Sequence, residues 1–371
     1  MVYPVISIYK RGIMYRIFMV TGLLICGNVA FTQSDAAREY IRARTNVETL
    51  KQKAAEWRIR DSLRYVEAVE KAKEKGWPIR TVDSSGVTEI AFLDEFGSPV
   101  YRTTTNTNAA ISTQTDQVHS GGSAGYDLNG EDMTIGEWDA GKVRATHEIL
   151  TGRVMQRDST GILDNHATHV AGTLIGDEAG DPDAKGMAPE AILHAYYWDF
   201  DTDEMAIEAA DGLLISNHSY GYVAGWTSFN GSGNGGSHWY GNNSLSPTEE
   251  DDFGKYEGSA QSWDDIAYNA PFYLIVKSAG NDRDDNRSGE HWFRDYINAN
   301  GDWVLSSDQR DPDGDYDCLP FNSNAKNILT IGAVDDVLNY TGPGDVSMSS
   351  FSGWGPADDG RIKPDLVGNG V

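Results

Sequence analysis

Short apolar runs alternate with polar, glycine-rich loops along the chain from residue 133 onwards. The runs occupy residues 133–135, 192–197, 213–215, 272–276 and 328–331. Segments long enough to form helices separate them, and this alternation is typical of a buried parallel sheet. The pattern predicts an α/β fold with a mostly parallel sheet and helices on both of its faces.

Polar motifs follow three of these runs directly. They occupy residues 137–139, 216–219 and 278–281, and they contain carboxylate, imidazole, hydroxyl and amide side chains. Because the carboxyl ends of parallel strands meet at one edge of a sheet, ligands and reactive groups gather there. The sequence therefore predicts an active site at that edge.

The first hundred residues follow a different pattern. Apolar residues recur at helical spacing over residues 35–75, which predicts one long or two short amphipathic helices ending at Gly76 and Pro78. The predicted apolar face comprises Val47, Leu50, Ala54, Trp57, Leu63, Val66 and Val69. A run at residues 87–93, followed by residues 96–101 around a Gly-Ser-Pro sequence at 97–99, predicts a hairpin.

The charge of the chain is large and unevenly distributed. The 371 residues include 56 Asp and Glu against 30 Lys and Arg, a formal net charge of −26. This charge repels phosphate backbones, so nucleic acid is not an expected partner. Residues 1–80 carry 15 basic and 8 acidic side chains, a net +7, which leaves 15 and 48, a net −33, for residues 81–371. The opposite signs predict that the N-terminal part docks on the remainder partly by electrostatic attraction.

The N-terminus has the features of a targeting segment. Lys10, Arg11 and Arg16 precede an apolar stretch at residues 17–25, and small residues follow. We predict a signal peptide over residues 1–33 and a secreted, extracellular protein. The stretch is too short for stable membrane insertion. An uncleaved signal anchor and a lipid-modified Cys26 are the alternatives.

The segment at residues 164–173 contains the strongest local signal, a His166-x-x-His169 pair followed by small residues. Spacing alone allows a catalytic base at a helix start, a zinc-binding pair or two structural histidines. Asp139 ends a predicted strand 27 residues before His166, and a general-base imidazole needs a carboxylate to fix its tautomer. The sequence therefore favours an Asp–His pair at the edge of the sheet.

Seven motifs, in order along the chain, resemble those of the subtilisin-like serine proteases, in the secreted form common in Bacteroidetes. The motifs are GEWDAG at residues 136–141, HATHVAG at 166–172, KGMAP at 185–189, SNHSYG at 216–221, AGN at 279–281, SFSGWGP at 350–356 and KPD at 363–365. The resemblance implies a subtilisin-like fold and hydrolysis of peptide bonds in protein or peptide substrates, with no required cofactor.

The resemblance also implies a role for individual residues. Asp139 would orient His166, His166 would act as general base, and the Asn281 amide would donate to the oxyanion. Backbone pairing with an extended substrate would fall to Ser219, Tyr220 and Gly221. His218 stands where the family usually has a small or apolar residue, so its distance from the cleft stays open.

One family motif has no counterpart. The nucleophilic serine of the family lies in a Gly-Thr-Ser-Met-Ala-type motif beyond the Lys-Pro-Asp element, and the 371 residues contain no Gly-Thr-Ser sequence. We therefore expect a piece of a secreted endopeptidase that is inactive as it stands. The main alternative is a serine-less pseudoprotease that binds peptides, and a zinc hydrolase built on His166 and His169 is a distant third.

The resemblance gives the N-terminal part a role as well. Subtilases commonly carry a propeptide that assists folding and inhibits the enzyme, and the basic helical segment fits this description. Residues 103–115 carry almost no large apolar side chain and predict an exposed linker that proteases cut. We predict a propeptide-like α+β segment and linker over residues 34–108 and a partial peptidase domain over 109–371. A constitutive N-terminal domain is the alternative.

Four carboxylates cluster in the segment DPDGDYD. They belong to Asp311, Asp313, Asp315 and Asp317. A hard cation with oxygen ligands relieves such repulsion, so the cluster is a candidate site for a structural calcium ion. The spacing does not match an EF-hand, and a solvated acidic loop is the competing interpretation.

Overall fold

The computed structural model describes residues 35–83, 86–94, 97–104, 112–179, 184–227, 235–285, 287–310 and 315–370. The predicted signal peptide, the central part of the linker, Asp311 and Asp313 lie outside these ranges. Cys26, for which lipid modification is an alternative, lies outside them too.

Two helices open the described chain. Helix α1 spans Asp35–Arg42 and helix α2 spans Val47–Lys75, so the predicted helical segment contains one short and one long helix. Helix α2 ends at Gly76, which adopts the left-handed conformation (φ 72°) and donates its N–H to the Ala72 carbonyl. Glycine adopts this conformation without the steric cost that a Cβ brings.

A three-stranded antiparallel sheet follows the helices. Its strands are β1 (Arg80–Asp83), β2 (Gly86–Leu93) and β3 (Pro99–Thr104). Leu93 pairs with Pro99 at the turn, so the predicted hairpin is confirmed. Helices α1 and α2 and these strands are called the N-terminal segment below.

The buried face of α2 differs from the prediction in its second half. Leu63 and Val66, predicted to be part of the apolar face, are 66% and 53% exposed. Ala68 and Ala72 are buried instead, in a cluster with Tyr101 of β3. The small alanine side chains allow the helix to approach the hairpin closely, whereas the larger residues face solvent.

A seven-stranded sheet forms the centre of the remaining chain, and each neighbouring pair of strands in it is parallel. Its order is β15-β14-β11-β7-β4-β6-β5. The strands are β4 (Thr134–Asp139), β5 (Val154–Gln156), β6 (Ile192–Tyr197), β7 (Ile215–His218), β11 (Leu274–Ser278), β14 (Leu329–Val334) and β15 (Leu366–Asn369). The predicted parallel sheet is confirmed.

Helices cover both faces of this sheet, as predicted. They are α3 (Asn165–Ile175), α4 (Asp201–Ala210) and α5 (Gly258–Asn269). Ala167 of α3 packs in one apolar cluster with Leu193 of β6. Trp263 of α5 packs in a different cluster with Trp138 of β4, on the opposite face of the sheet.

Two short-stranded features complete the fold. Strand β8 (Tyr220–Tyr222) pairs with β3 and extends the N-terminal sheet to the order β1-β2-β3-β8. A separate sheet has the order β13-β12-β10-β9. Its strands are β9 (Trp226–Thr227), β10 (Ser237–Trp239), β12 (His291–Asp295) and β13 (Asp302–Ser306).

Helix α2 docks on α4 where a basic side chain meets two buried carboxylates. Arg58 Nε lies 3.5 Å from Asp203 Oδ2, and Arg58 Nη1 lies 3.8 Å from Glu204 Oε1. The second oxygen of Glu204 accepts a hydrogen bond of 3.1 Å from Trp138 Nε1, beside Asp139. This contact brings a basic residue of the N-terminal segment against two acidic residues of the remaining chain.

Stability should fall with rising pH because of these carboxylates. Burial is the main cause that raises the pKa of Asp203 to about 7 and of Glu204 to about 9, against the lowering effect of Arg58. A raised pKa means that the folded state binds the proton more tightly, so this contribution is full below about pH 4 and is lost as the pH rises through 7 to 9.

The control for this prediction is the double variant Asp203→Asn, Glu204→Gln, because its amide side chains cannot ionise. When the pH is raised from 5 to 9, we expect the thermal unfolding midpoint of the wild-type chain to decrease by at least about 3 °C more than that of the double variant. Thermal unfolding followed by circular dichroism measures both slopes. Parallel slopes would show that these two carboxyls do not ionise with the assigned pKa values.

None of the helices in the described ranges combines the length and apolar character that crossing a bilayer demands.

Candidate active site

Asp139 and His166 meet at the carboxyl end of the central sheet. Asp139 is the last residue of β4 and is fully buried, and His166 lies in the first turn of α3. His166 Nδ1 is 2.8 Å from Asp139 Oδ1 and 3.0 Å from Oδ2. Asp139 Oδ1 also accepts a 2.7 Å hydrogen bond from the Ala140 N–H. The carboxylate therefore holds the imidazole by Nδ1, the arrangement that suits a general base acting through Nε2.

The start of α3 fixes the position of His166. Asp164 is the N-cap, and its carboxylate accepts a 3.0 Å hydrogen bond from the Ala167 N–H. Ala167 and Ala171 are buried against the sheet. Small residues at these positions let the helix approach the strands closely, which the sequence pattern had indicated.

The N-terminal segment also reaches this site. Arg80 of β1 donates a 3.1 Å hydrogen bond to the Ala140 carbonyl and lies 3.9 Å from Asp164 Oδ2. Its other terminal nitrogen contacts Glu89 Oε2 at 2.7 Å, and the hydroxyl of Tyr197 donates to the same carboxylate. Arg80 thus links the N-terminal segment to the loop after β4 and to the cap of α3.

Glu137, two residues before Asp139, is a buried carboxyl group in the same strand. Neither of its oxygens has a hydrogen-bond partner among the described residues. Burial raises its pKa well above the usual range, and the neighbouring Asp139 and Asp164 raise it further. Burial and the two neighbouring carboxylates therefore favour the uncharged form of Glu137.

Asn281 follows β11 by three residues and is exposed. Gly280 before it has φ 94°, a conformation that a residue with a Cβ rarely adopts. In the sheet order β11 lies next to β7, and β7 lies next to β4. Asp139 therefore ends β4, and Ser219 and Asn281 follow the ends of the adjacent strands β7 and β11.

A cavity of about 430 Å³ lies at this edge of the sheet. Its lining includes Ser219, Lys277, Ser278 and Asn281. The cavity has room for a side chain beside the Asn281 amide. Lys277 was not singled out from the sequence, although a lysine between an apolar run and the Ala-Gly-Asn motif is the signal that could have found it.

The predicted substrate strand is paired with the chain's own β3. Thr104 pairs with Tyr220 and Thr103 with Gly221, in antiparallel register. This is the backbone pairing by which an extended peptide adds to the edge of a sheet. Strand β8 is thus able to bind an extended chain, and in this structure the N-terminal segment supplies it.

His218, which the sequence left open, is a core residue. Its ring stacks on Trp138 at 5.2 Å between centroids. Its Nε2 lies 2.8 Å from Ser216 Oγ and its Nδ1 lies 3.1 Å from the Tyr220 hydroxyl. Burial, and then the charge of Lys277, hold its pKa well below the usual value. This buried, neutral imidazole joins a polar network inside the core.

The zinc interpretation of His166 and His169 finds no support in the geometry. In the described ranges, one group of three metal-ligating side chains converges, and it consists of Asp139, Asp164 and His166. His169 is not part of this group. Burial, and then the charge of His166, lower the pKa of His169. The group coincides with the Asp–His pair and the helix cap, whose contacts already account for its convergence.

The structure describes two of the four residues that were predicted to bind calcium. Asp315 is exposed, and Asp317 is half-buried with φ 55°. Asp317 Oδ1 and Asp358 Oδ1 lie 2.3 Å and 2.4 Å from the position that a Cβ on Gly254 would take. The absence of that Cβ leaves a small space in which two carboxylates converge.

A family model and several solved structures match the chain. A family model described as the subtilase family matches residues 75–371. No curated protein sequence matches the chain. Among solved structures, the chain is similar to the self-cleaved protease domain of PatA, with 18% identity, 66% of this chain and 75% of that chain covered, and a TM-score of 0.34.

Two further solved structures are similar over most of their length. The CspB protease of Clostridium perfringens has 12% identity, 70% of this chain and 78% of that chain covered, and a TM-score of 0.40. A cold-adapted subtilisin-like serine proteinase has 16% identity, 71% and 74% covered, and a TM-score of 0.34. The match to the family model spans most of the chain and is the finding that assigns it.

Proposed function

The chain belongs to the subtilase family of serine peptidases, and from this premise we propose that Asp139, His166 and Asn281 serve a secreted endopeptidase. The observation that carries the proposal is the contact of His166 Nδ1 with both oxygens of the buried Asp139 carboxylate. A serine nucleophile completes the set. Because no Gly-Thr-Ser sequence occurs in the 371 residues, we assign that serine to sequence outside them.

The proposed reaction proceeds by acyl transfer. His166 Nε2 takes the proton of the serine hydroxyl while the serine oxygen attacks the peptide carbonyl carbon. His166 then gives this proton to the leaving amine, and the acyl-enzyme forms. Water, deprotonated by the same imidazole, then attacks the acyl carbon; the bond to the serine oxygen breaks, the imidazolium returns its proton to that oxygen, and the acid product leaves. Asp139 keeps its charge throughout and stabilises the imidazolium that forms in each step.

Asn281 acts on the developing oxyanion. Its side-chain amide is exposed at the end of β11, where it can donate a hydrogen bond to the carbonyl oxygen as negative charge builds up. Such a donor contributes about 3 to 4 kcal/mol to lowering the barrier. The adjacent cavity receives a substrate side chain.

Substrate backbones bind along Ser219, Tyr220 and Gly221. The support for this assignment is the pairing of Thr103 and Thr104 with Gly221 and Tyr220. An extended substrate would take the place of β3 and make the same antiparallel hydrogen bonds. The enzyme would therefore select unfolded or flexible segments, because a folded strand cannot leave its own sheet to pair with β8.

The N-terminal segment acts as a propeptide in this proposal. It occupies β8 through β3, holds Arg58 against Asp203 and Glu204, and places Arg80 beside the Asp–His pair. Substrate cannot pair with β8 while β3 does. Activity therefore requires cleavage in the linker after Thr104 and release of the segment.

The test uses the complete gene product and the 371-residue chain, both assayed on an unfolded protein substrate. We expect the complete product to hydrolyse the substrate and to have a mature N-terminus beyond residue 104, and the 371-residue chain to be inactive. A complete product that retains α2 and still hydrolyses the substrate would contradict the propeptide role. A complete product that binds peptides without cleaving them would support the pseudoprotease instead.

Secretion is part of the proposal, and its support is the basic and apolar pattern of residues 1–33. We expect the mature protein in the medium or at the cell surface of the producing organism. Cell fractionation with an antibody against the peptidase domain tests this. Retention in the cytoplasm would contradict it.

A structural calcium ion is proposed at the carboxylates that include Asp317. Asp317 and Asp358 each direct a carboxylate oxygen toward Gly254, and carboxylate oxygens are the ligands that calcium prefers. We expect calcium to raise the unfolding midpoint of the chain by at least about 3 °C over EGTA, and Asp317→Asn to abolish the increase. An equal midpoint with calcium and with EGTA would favour the solvated acidic loop.

A further inference from the structure

Lys277 is a buried cation beside the proposed oxyanion residue, and the mechanism does not use it. It lies in β11, its side chain is 2% exposed, and it lines the cavity that also includes Ser219 and Asn281. Among the residues that line this cavity, Lys277 is the one with an ionisable side chain. An ammonium group in a neutral cavity needs a reason, because burying a charge without a counter-ion is costly.

The contacts of Lys277 account for only part of its hydrogen-bonding capacity. Its Nζ donates to the Ser278 carbonyl at 2.8 Å and to Ser278 Oγ at 2.9 Å. An ammonium group has three N–H bonds. Among the described residues no carboxylate oxygen lies within 4.0 Å of Lys277 Nζ. Two neutral acceptors thus hold the group, and a third donor is left for a ligand.

The ammonium group lies directly beneath the strand on which substrate binds. Lys277 Nζ is 3.9 Å from the position that a Cβ on Gly221 would take. Gly221 pairs with Thr103 and Tyr220 pairs with Thr104, so the next residue of a bound strand would be opposite Ser219. Ser219 lines the same cavity as Lys277 and Asn281. The side chain of that substrate residue can enter the cavity while Asn281 faces its carbonyl group.

We propose that Lys277 selects an acidic side chain, glutamate or aspartate, at the substrate residue immediately before the cleaved bond. The substrate carboxylate accepts the third N–H of Lys277 and supplies the counter-ion that the cavity lacks. This inference rests on the proposed function. Lys277 is a specificity residue in it, not a participant in proton transfer.

Asp282 is the carboxyl group that could compete for Lys277. It makes no contact within 4.0 Å of Lys277, and its Oδ2 lies beside Gly280 and Pro320. Burial is the main cause that raises the pKa of Asp282 to about 8, and burial lowers the pKa of Lys277 to about 7. A protonated Asp282 is neutral below this pH and leaves the ammonium group to the substrate.

The test is a series of peptides that differ only at the residue before the cleaved bond, assayed with the complete gene product at pH 6. The residues are Glu, Gln, Leu and Lys. We expect kcat/KM for Glu to exceed that for Gln by at least about 30-fold, since an unpaired buried charge penalises the neutral analogue. Equal values for Glu and Gln in the wild-type enzyme would overturn the inference without any variant.

Variants of the enzyme test whether Lys277 causes the preference for Glu over Gln. Lys277→Met keeps the length of the side chain and removes its charge, and we expect it to reduce the ratio of Glu to Gln to within about threefold. Lys326→Met, an exposed lysine elsewhere, is the matched control and should keep the wild-type ratio. Asp282→Asn should keep it too. A preference for Lys that Asp282→Asn abolishes would assign specificity to Asp282 and overturn the role of Lys277.

The outcomes separate this inference from the function on which it rests. Hydrolysis of the peptides without a preference for Glu removes the inference and leaves the peptidase intact. No hydrolysis of any peptide removes both. Hydrolysis with a Glu preference that survives Lys277→Met keeps the specificity and removes Lys277 as its cause.

Discussion

Replacing His166 with alanine is expected to lower kcat/KM of the complete gene product by about 10⁵-fold, with little change in the unfolding midpoint. The imidazole is the base for both steps, and Asp139 binds its Nδ1 at 2.8 Å. The matched control is His169→Ala, one turn further along α3, which should change kcat/KM by less than about threefold. Hydrolysis of a defined peptide gives both values.

Two results would contradict this expectation. A loss of similar size in the His169→Ala variant would mean that helix α3 as a whole, and not the base, had been disturbed. Substantial activity in His166→Ala would mean that another group takes the serine proton. Asp139→Asn is informative as a second variant, because it keeps the size of the side chain and removes the charge that stabilises the imidazolium.

Replacing Asn281 with alanine is the second large effect, a loss of about 10²- to 10³-fold in kcat with KM nearly unchanged. The amide interacts with charge that exists only in the transition state, so the ground-state complex should not depend on it. Asn327→Ala, an exposed amide just before β14, is the control. Steady-state kinetics over a range of peptide concentrations separates kcat from KM.

The role of Asn281 is decided by whether its replacement changes kcat or KM. A raised KM with an unchanged kcat would make Asn281 a substrate-binding residue. An unchanged kcat/KM would remove it from the site. The role of the cavity would then need another explanation, because Asn281 connects the cavity to the reacting carbonyl group.

The central sheet could be predicted because its inner strands, such as β4 and β6, are largely buried. Residues 192–197 form a run that is apolar except for His194, and β6 has these same bounds. The prediction from the run at 213–215 was less accurate, since β7 spans Ile215–His218. Its last residues are polar but buried, because Ser216 and His218 satisfy each other's hydrogen bonds. Hydrophobic periodicity cannot detect a strand whose buried residues form a polar network.

The sheet of β9, β10, β12 and β13 could not be predicted for a different reason. Strands β9 and β10 contain two and three residues, too few for a period of two to be visible. Their pairing depends on contacts distant in sequence, such as His238 with Trp292. The exposed Leu63 and Val66 of α2 show the same limit, because the partner of a helix face is decided by tertiary packing.

Some residues of the candidate site could be predicted from the sequence, and others could not. Asp139 and His166 could be predicted because each lies in a motif at the end of a predicted element, and their contact needs only the parallel sheet. Arg80 and Lys277 could not, because their positions depend on docking of the N-terminal segment and on the burial of a residue type that is usually exposed. A single sequence carries no signal for Arg80, and for Lys277 it offers only the position of a lysine between an apolar run and the Ala-Gly-Asn motif.

The most direct test of the account is covalent labelling of the complete gene product with a fluorophosphonate, a reagent that reacts with activated serines. We predict stoichiometric labelling on one serine outside residues 1–371, with labelling lost in His166→Ala and retained in His169→Ala. Labelling that does not depend on His166, or no labelling of a folded and processed product, would contradict the claim that Asp139 and His166 activate a serine nucleophile.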